Sequence, residues 1–188
     1  MTDQAQYVAA FSTAAENVGS RVVSFPDLEQ ALKYLVQHAG GTIMLPDFPS
    51  GQRHGLAERL EQAGLEVVSS DLREAGQSAL AGLTGVNFAL ADTGTLVLES
   101  TDEDIRLATT LPERHFALLD PQKILADSLV AVAPMRAMHQ RDSRNYIAYI
   151  TGPSRTADIE RVLTIGVHGP KELHILLVPG FSDDLLEM

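Results

Sequence analysis

RVVSFPDLEQALKYLVQHAGGTIMLPDFPSGQRHGLAERLEQAGLEVVSS, residues 21–70, decides the fold. Arg21 to Phe25 is a short run of strand type. Pro26, Asp27 and Glu29 follow, with proline at a first helical position and acids in the first turn, so the spacing predicts a helix to about His38. Leu28, Leu32, Leu35 and Val36 give that helix one apolar face. After Gly40 and Gly41, Thr42 to Leu45 reads as a strand. A polar loop through Pro49 and Gly51 then leads to a helix near Gly55 to Gln62 and a strand from Leu65 to Ser69. Strands separated by helices imply right-handed crossovers, so the expected fold class is α/β, a mostly parallel sheet flanked by helices.

Outward from this unit, Gln4 to Val18 places Tyr7, Ala10, Phe11 and Ala14 at helical spacing, with Gly19 as the stop; an N-terminal helix is expected over residues 1–18. Residues 71 to 85 are rich in small residues and read as a loop with one helical turn. Val86 to Ala91 and Thr95 to Glu99 read as two short strands around the turn Asp92-Thr93-Gly94. Asp102 to Thr110 reads as a helix, His115 to Leu119 as a strand, and Pro121 to Val132 as a helix with Ile124, Leu125, Ser128 and Leu129 inward. Ala133 to Asn145 reads as a polar connection. Tyr146 to Ile150 and Glu172 to Val178 are the last strands, and residues 181–188 an acidic tail. No repeat and no linker divides the chain, so one domain over residues 1–188 is expected.

The chain has 188 residues, 45% apolar and 21% charged, an ordinary balance for a folded domain with a sizeable core. A formal charge of −11 with scattered arginines argues against nucleic acid and against anionic membrane surfaces. Cysteine is absent, which removes disulfides, a thiol nucleophile, a thiolate zinc site and an iron–sulfur cluster held by cysteines of this chain. No pair among the six histidines has zinc-protease spacing, and no metal site is expected. The N-terminus has no basic region and no apolar signal core, so a cytoplasmic location is expected.

Site chemistry concentrates in three glycine-bearing turns, around Asp92 to Thr95, Thr151 to Thr156 and Gly166 to Pro170. In open α/β sheets ligands collect where strands end, and three such turns can converge on one pocket. Backbone N–H groups beside Gly94, Gly152, Gly166 and Gly169, with the hydroxyls of Thr93, Thr95, Thr151, Ser154 and Thr156, suit a phosphate or carboxylate. A helix is expected to begin after Gly152 and Pro153, with Ser154 or Thr156 as its cap and Asp158 and Glu160 in its first turn. Arg155 adds a planar fork for an anion. The same residues serve equally as plain caps and tight turns. His168, between glycines of its turn, is a candidate acid or base, and Asp92 a candidate catalytic carboxylate; a loop histidine and a turn aspartate are the simpler readings of both. His115 and His174 fall within strands, where structural histidines are expected.

The runs GVNFALADTGTLVL (85–98), Arg106 to His115, TGPSRTADIE (151–160) and GVHGP (166–170) resemble the lactate-utilisation protein C family, also called the LUD domain. The resemblance extends from about Phe11 to Val178. It implies a fold like that of sugar-phosphate isomerases and coenzyme A transferases, and a part in oxidising L-lactate to pyruvate alongside iron–sulfur partner proteins that carry the clusters. It names no catalytic residue. Asp92 stands where the family usually has Glu, which shortens any carboxylate reach by one methylene. By fold analogy alone, a stand-alone enzyme of the isomerase or acyl-transfer type is the alternative.

Overall fold

The computed structural model describes residues 3–76, 78–141, 145–156 and 164–188. Helix α1 (Asp3–Asn17) leads into β1 (Arg21–Ser24). Helix α2 (Leu28–Ala39) starts where Asp27 accepts the Gln30 N–H at 2.9 Å and stops at Gly40, whose φ of 85° is left-handed. It buries Ala31, Leu32, Leu35 and Ala39. β2 (Thr42–Met44), α3 (Pro49–Arg53), α4 (Leu56–Gln62) and β3 (Glu66–Val68) follow; α3 occupies part of the expected polar loop.

The reading of residues 71–85 as a loop is corrected: they form α5 (Leu72–Ala75) and β4 (Ala81–Gly85), a buried strand between β2 and a later strand. Its small residues have a tertiary cause. A β-carbon on Gly82 would stand 3.0 Å from the Ala108 carbonyl carbon, so the bare backbone lets the next helix lie close to the sheet. β5 (Phe88–Leu90) and β6 (Thr95–Glu99) form the expected antiparallel pair, followed by α6 (Glu103–Thr110) and β7 (Arg114–Leu119).

A further expectation is overturned. Pro121 to Val132 is not a helix. A 3-10 turn at Pro121–Lys123, capped by Asp120 accepting the Gln122 N–H, gives way to β8 (Ile124–Leu125), which pairs with β5; Leu129 is 80% exposed rather than inward. The helix starts later, as α7 (Val132–Arg141), after Asp127 gathers the N–H groups of Leu129 and Val130, so the expected connection from Ala133 is largely helical. Directly after Pro153 the described residues are not helical, and the remainder of the helix expected there lies outside the described residues. Past β9 (Ile147–Ile150), Arg155–Thr156 forms β10, paired antiparallel with β11 (Thr164–Ile165). The N–H of Ser154 goes to the Pro170 carbonyl at 2.9 Å, which ties this turn to the one before β12. Asp158 and Glu160 lie outside the described residues. β12 (Glu172–Leu177) completes the chain's strands among the described residues.

Among the described residues the main sheet runs β1-β12-β7-β4-β2-β3, every neighbour parallel, and a second sheet runs β8-β5-β6-β9. The fold class is α/β, a mostly parallel sheet flanked by helices. Leu83, Phe116, Leu118, Ile175 and Leu177 fill the core. The acidic tail does not hang free: Phe181, Ser182 and Met188 are buried. No helix among the described residues is long and apolar enough to cross a membrane.

Candidate functional site

Two of the three glycine turns are built into one corner. Besides the Ser154–Pro170 bond, the Ser154 carbonyl accepts the Gly166 N–H at 2.9 Å. The third turn reaches this corner through hydroxyls: Thr95 Oγ1 donates to Thr93 Oγ1 and lies 2.8 Å from Thr151 Oγ1. That join is the whole of its contribution to the cleft described next. Asp92 and Thr93 are exposed, the Asp92 N–H donates to the Ala126 carbonyl, and Gly94 is pressed against α1, its β-carbon position 2.5 Å from Ala15 Cα.

Beside the corner lies a cleft of about 380 Å³. Thr151, Gly152, Ser154, Arg155, His168 and Gly169 line it; Thr156, Gly166 and the turn from Asp92 to Thr95 do not. Thr109 and Thr110 at the end of α6 form an opposing wall, with His115, Tyr149 and Leu173 also contributing. The wall lies within the run from Arg106 to His115 that carries part of the family resemblance, but its threonines were not among the residues expected at the site. His115 and Leu173 are early residues of β7 and β12, so the cleft opens at the amino ends of these parallel strands, opposite to the edge that ligands of such sheets usually occupy.

His115 is fully buried, its Nε2 2.9 Å from Thr84 Oγ1. Burial pushes its pKa down to about 4, so the ring is neutral near pH 7 and able to share a hydrogen bond without adding charge. Arg155 lines the cleft and is also tied to the end of α1. Its Nη2 donates to the Val18 carbonyl just past α1, a cation placed at a helix carboxyl end. His174, as expected of a structural histidine, bridges Tyr34 Oη (3.0 Å) and Glu172 Oε2 (2.8 Å); burial lowers its pKa and Glu172 opposes that shift. Among the described residues no three His, Asp or Glu side chains are grouped to hold a metal ion.

The model of the LUD domain matches residues 8–178. The chain is similar to lactate utilization protein C of Geobacillus thermodenitrificans (strain NG80-2), 32% identical over 165 residues that cover 81% of this chain and 69% of that protein. It is also similar to an uncharacterized electron transport protein, YkgF, of Escherichia coli (strain K12), 27% identical across 91% of this chain and 37% of that protein. The crystal structure of a DUF162 family protein from Deinococcus radiodurans superposes with a TM-score of 0.68 at 22% identity, covering 93% of this chain and 98% of that one. The family match spans nearly the whole sequence and the fold agrees with it: the chain belongs to the LUD domain family.

Proposed function

We propose that the chain is a subunit of an L-lactate utilisation system, in which it binds a small carboxylate while iron–sulfur partner proteins take up the electrons as L-lactate is oxidised to pyruvate. The observation that carries this reading is the similarity to lactate utilization protein C across most of both chains. The reaction releases two electrons and two protons per lactate, and a chain without cysteine has no thiolate to hold a cluster that would accept them. Division of labour follows: this subunit binds and positions, its partners conduct. The cleft suits the binding role, because it is of a size for a small carboxylate and is lined by the Ser154 hydroxyl and the His168 imidazole.

The test is reconstitution. The chain is purified alone and together with its iron–sulfur partners, and L-lactate-dependent reduction of an artificial acceptor is followed. Full activity requires the chain, and the chain alone turns over nothing. Partners that oxidise lactate at the same rate without it overturn the proposal.

A further inference from the structure

The carboxyl edge of the parallel sheet carries a second polar cavity, of about 470 Å³, that shares no lining residue with the cleft. Arg53 at the end of α3, the adjoining His54, Asp120 and Gln122 after β7, and residues between Gly180 and Glu187 bound it. The segment after β12 turns back across the strand ends. Met188 O accepts the Ser50 N–H at 3.2 Å, Arg141 Nη1 holds Leu186 O at 2.7 Å, and a β-carbon on Gly85, the last residue of β4, would stand 2.6 Å from the Met188 carbonyl carbon. It thus lies over the edge where open parallel sheets take their ligands.

The polar groups beneath it are mismatched. Lys123 is 1% exposed, yet the partner of its Nζ is a neutral oxygen, the Glu187 carbonyl at 2.6 Å. A buried ammonium is costly unless it is paired with an anion. Burial lowers its pKa to about 8 against the pull of Glu187, Asp120 and Asp184, which leaves it charged near neutral pH. Arg53 Nη2 reaches the Glu187 carboxylate at 2.5 Å, so a single residue offers an oxygen to each cation. Asp120 is also 1% exposed. Its Oδ1 takes the Gln122 N–H at 2.9 Å, but Oδ2 is buried with no partner among the described residues, as is Ser182 Oγ. An orphaned buried acceptor beside two cations calls for a ligand that brings one anionic group and one hydroxyl donor.

We propose that this cavity binds a small hydroxycarboxylate, its carboxylate taking Arg53 over from the Glu187 side chain, with the charge of the buried Lys123 beneath, and its hydroxyl donating to Asp120 Oδ2. The Glu187 carboxylate is the placeholder that occupies Arg53 when the ligand is away. Asp183 and Asp184 stand exposed at the mouth and disfavour a second negative charge, which selects a monoanion over phosphate. This cavity shares no residue with the cleft, and its chemistry is the same whether or not the chain serves lactate utilisation.

Isothermal titration of the full chain with sodium L-lactate, propionate and inorganic phosphate tests it. L-lactate binds saturably, and propionate, which lacks the hydroxyl, binds at least about tenfold more weakly, the loss expected for a hydrogen bond to a charged acceptor. Phosphate does not compete. Glu187→Gln tightens lactate binding about two- to fivefold by releasing the ion pair with Arg53. Asp120→Asn keeps the turn-capping oxygen but erases the preference for lactate over propionate. Arg53→Gln, at a half-exposed position, abolishes binding, and Lys123→Met weakens it by removing the charge beneath; should the second variant fail to fold, the first decides the matter. Propionate or phosphate binding as tightly as lactate overturns the proposal. So does lactate binding that survives Arg53→Gln and disappears in His168→Ala: that result places lactate in the cleft and leaves the proposed function standing.

Discussion

The carbonyl oxygen of Val18, just past α1, occupies the place where a β-carbon on Gly152 would have to stand. Gly152 also has a φ of 78°, a left-handed conformation that side chains disfavour. The end of α1 is therefore seated directly on the turn that follows β9. Gly152→Ala meets both penalties, and a loss of roughly 1–3 kcal/mol is expected. Urea denaturation measures it: the midpoint falls while the m-value is unchanged. An alanine variant as stable as the parent would show that the helix is not seated there.

Arg155 belongs to the same joint. Its guanidinium donates to the Val18 carbonyl and sits beside Gly19, whose β-carbon position is 2.7 Å from Nη2. An exposed cation at a helix carboxyl end contributes about 0.3–1 kcal/mol, screened by salt. Arg155→Lys keeps the charge and should cost less than that, whereas Arg155→Glu should cost more, and the gap between the two should shrink in high salt. Thermal melting with and without L-lactate separates this role from ligand binding. The ligand-induced shift should be the same in Arg155→Lys and the parent; a smaller shift would mean that the fork serves the ligand.

What could be read from the sequence was what local interactions determine. Asp27 and Gly40 bracket α2 by their own side-chain and backbone chemistry, and the leucines between them repeat at helical spacing, so α2 and the strands on either side were legible. β4 was not, because the smallness of Gly82 and Gly85 answers to Ala108 and Met188, which are remote in sequence. β8 was missed for a similar reason: Ile124 and Leu125 are drawn into a strand by Ala89 and Leu90, and in isolation they fit the apolar face of a helix. The site divides along the same line. The turns at Thr151 and Gly166 announced themselves by composition, but the reason for Gly94 and Gly152 is the backbone of α1 and of Val18 just past it, and the threonine wall of the cleft, inside the run from Arg106 to His115, has no local chemistry that marks it as a site. The paired cations under Glu187 were invisible, since Lys123 looks like any surface lysine in a polar turn until β7 and the returning segment bury it.

His115 makes stability depend on acidity in a definite window. Its pKa in the folded chain is about 4 because burial disfavours the imidazolium, against 6.5 for the ordinary group. Between these values the unfolded chain holds the proton and the folded chain does not, so stability is fully present above about pH 6.5 and falls as pH drops towards 4. A displacement of this size corresponds to about 3 kcal/mol at the bottom of the window. His174, also lowered by burial, adds to the slope in the same direction. His115→Gln retains a polar group beside Thr84 Oγ1 but cannot take up a proton. The variant is expected to be less stable than the parent at pH 7, through imperfect packing, and to lose less stability on acidification, so that the two curves converge towards pH 4. Urea midpoints at half-unit intervals from pH 7 to pH 4 measure the convergence. Parallel curves over that range would mean that His115 takes up its proton in the folded state as readily as in the unfolded one, and that the floor of the cleft is wet.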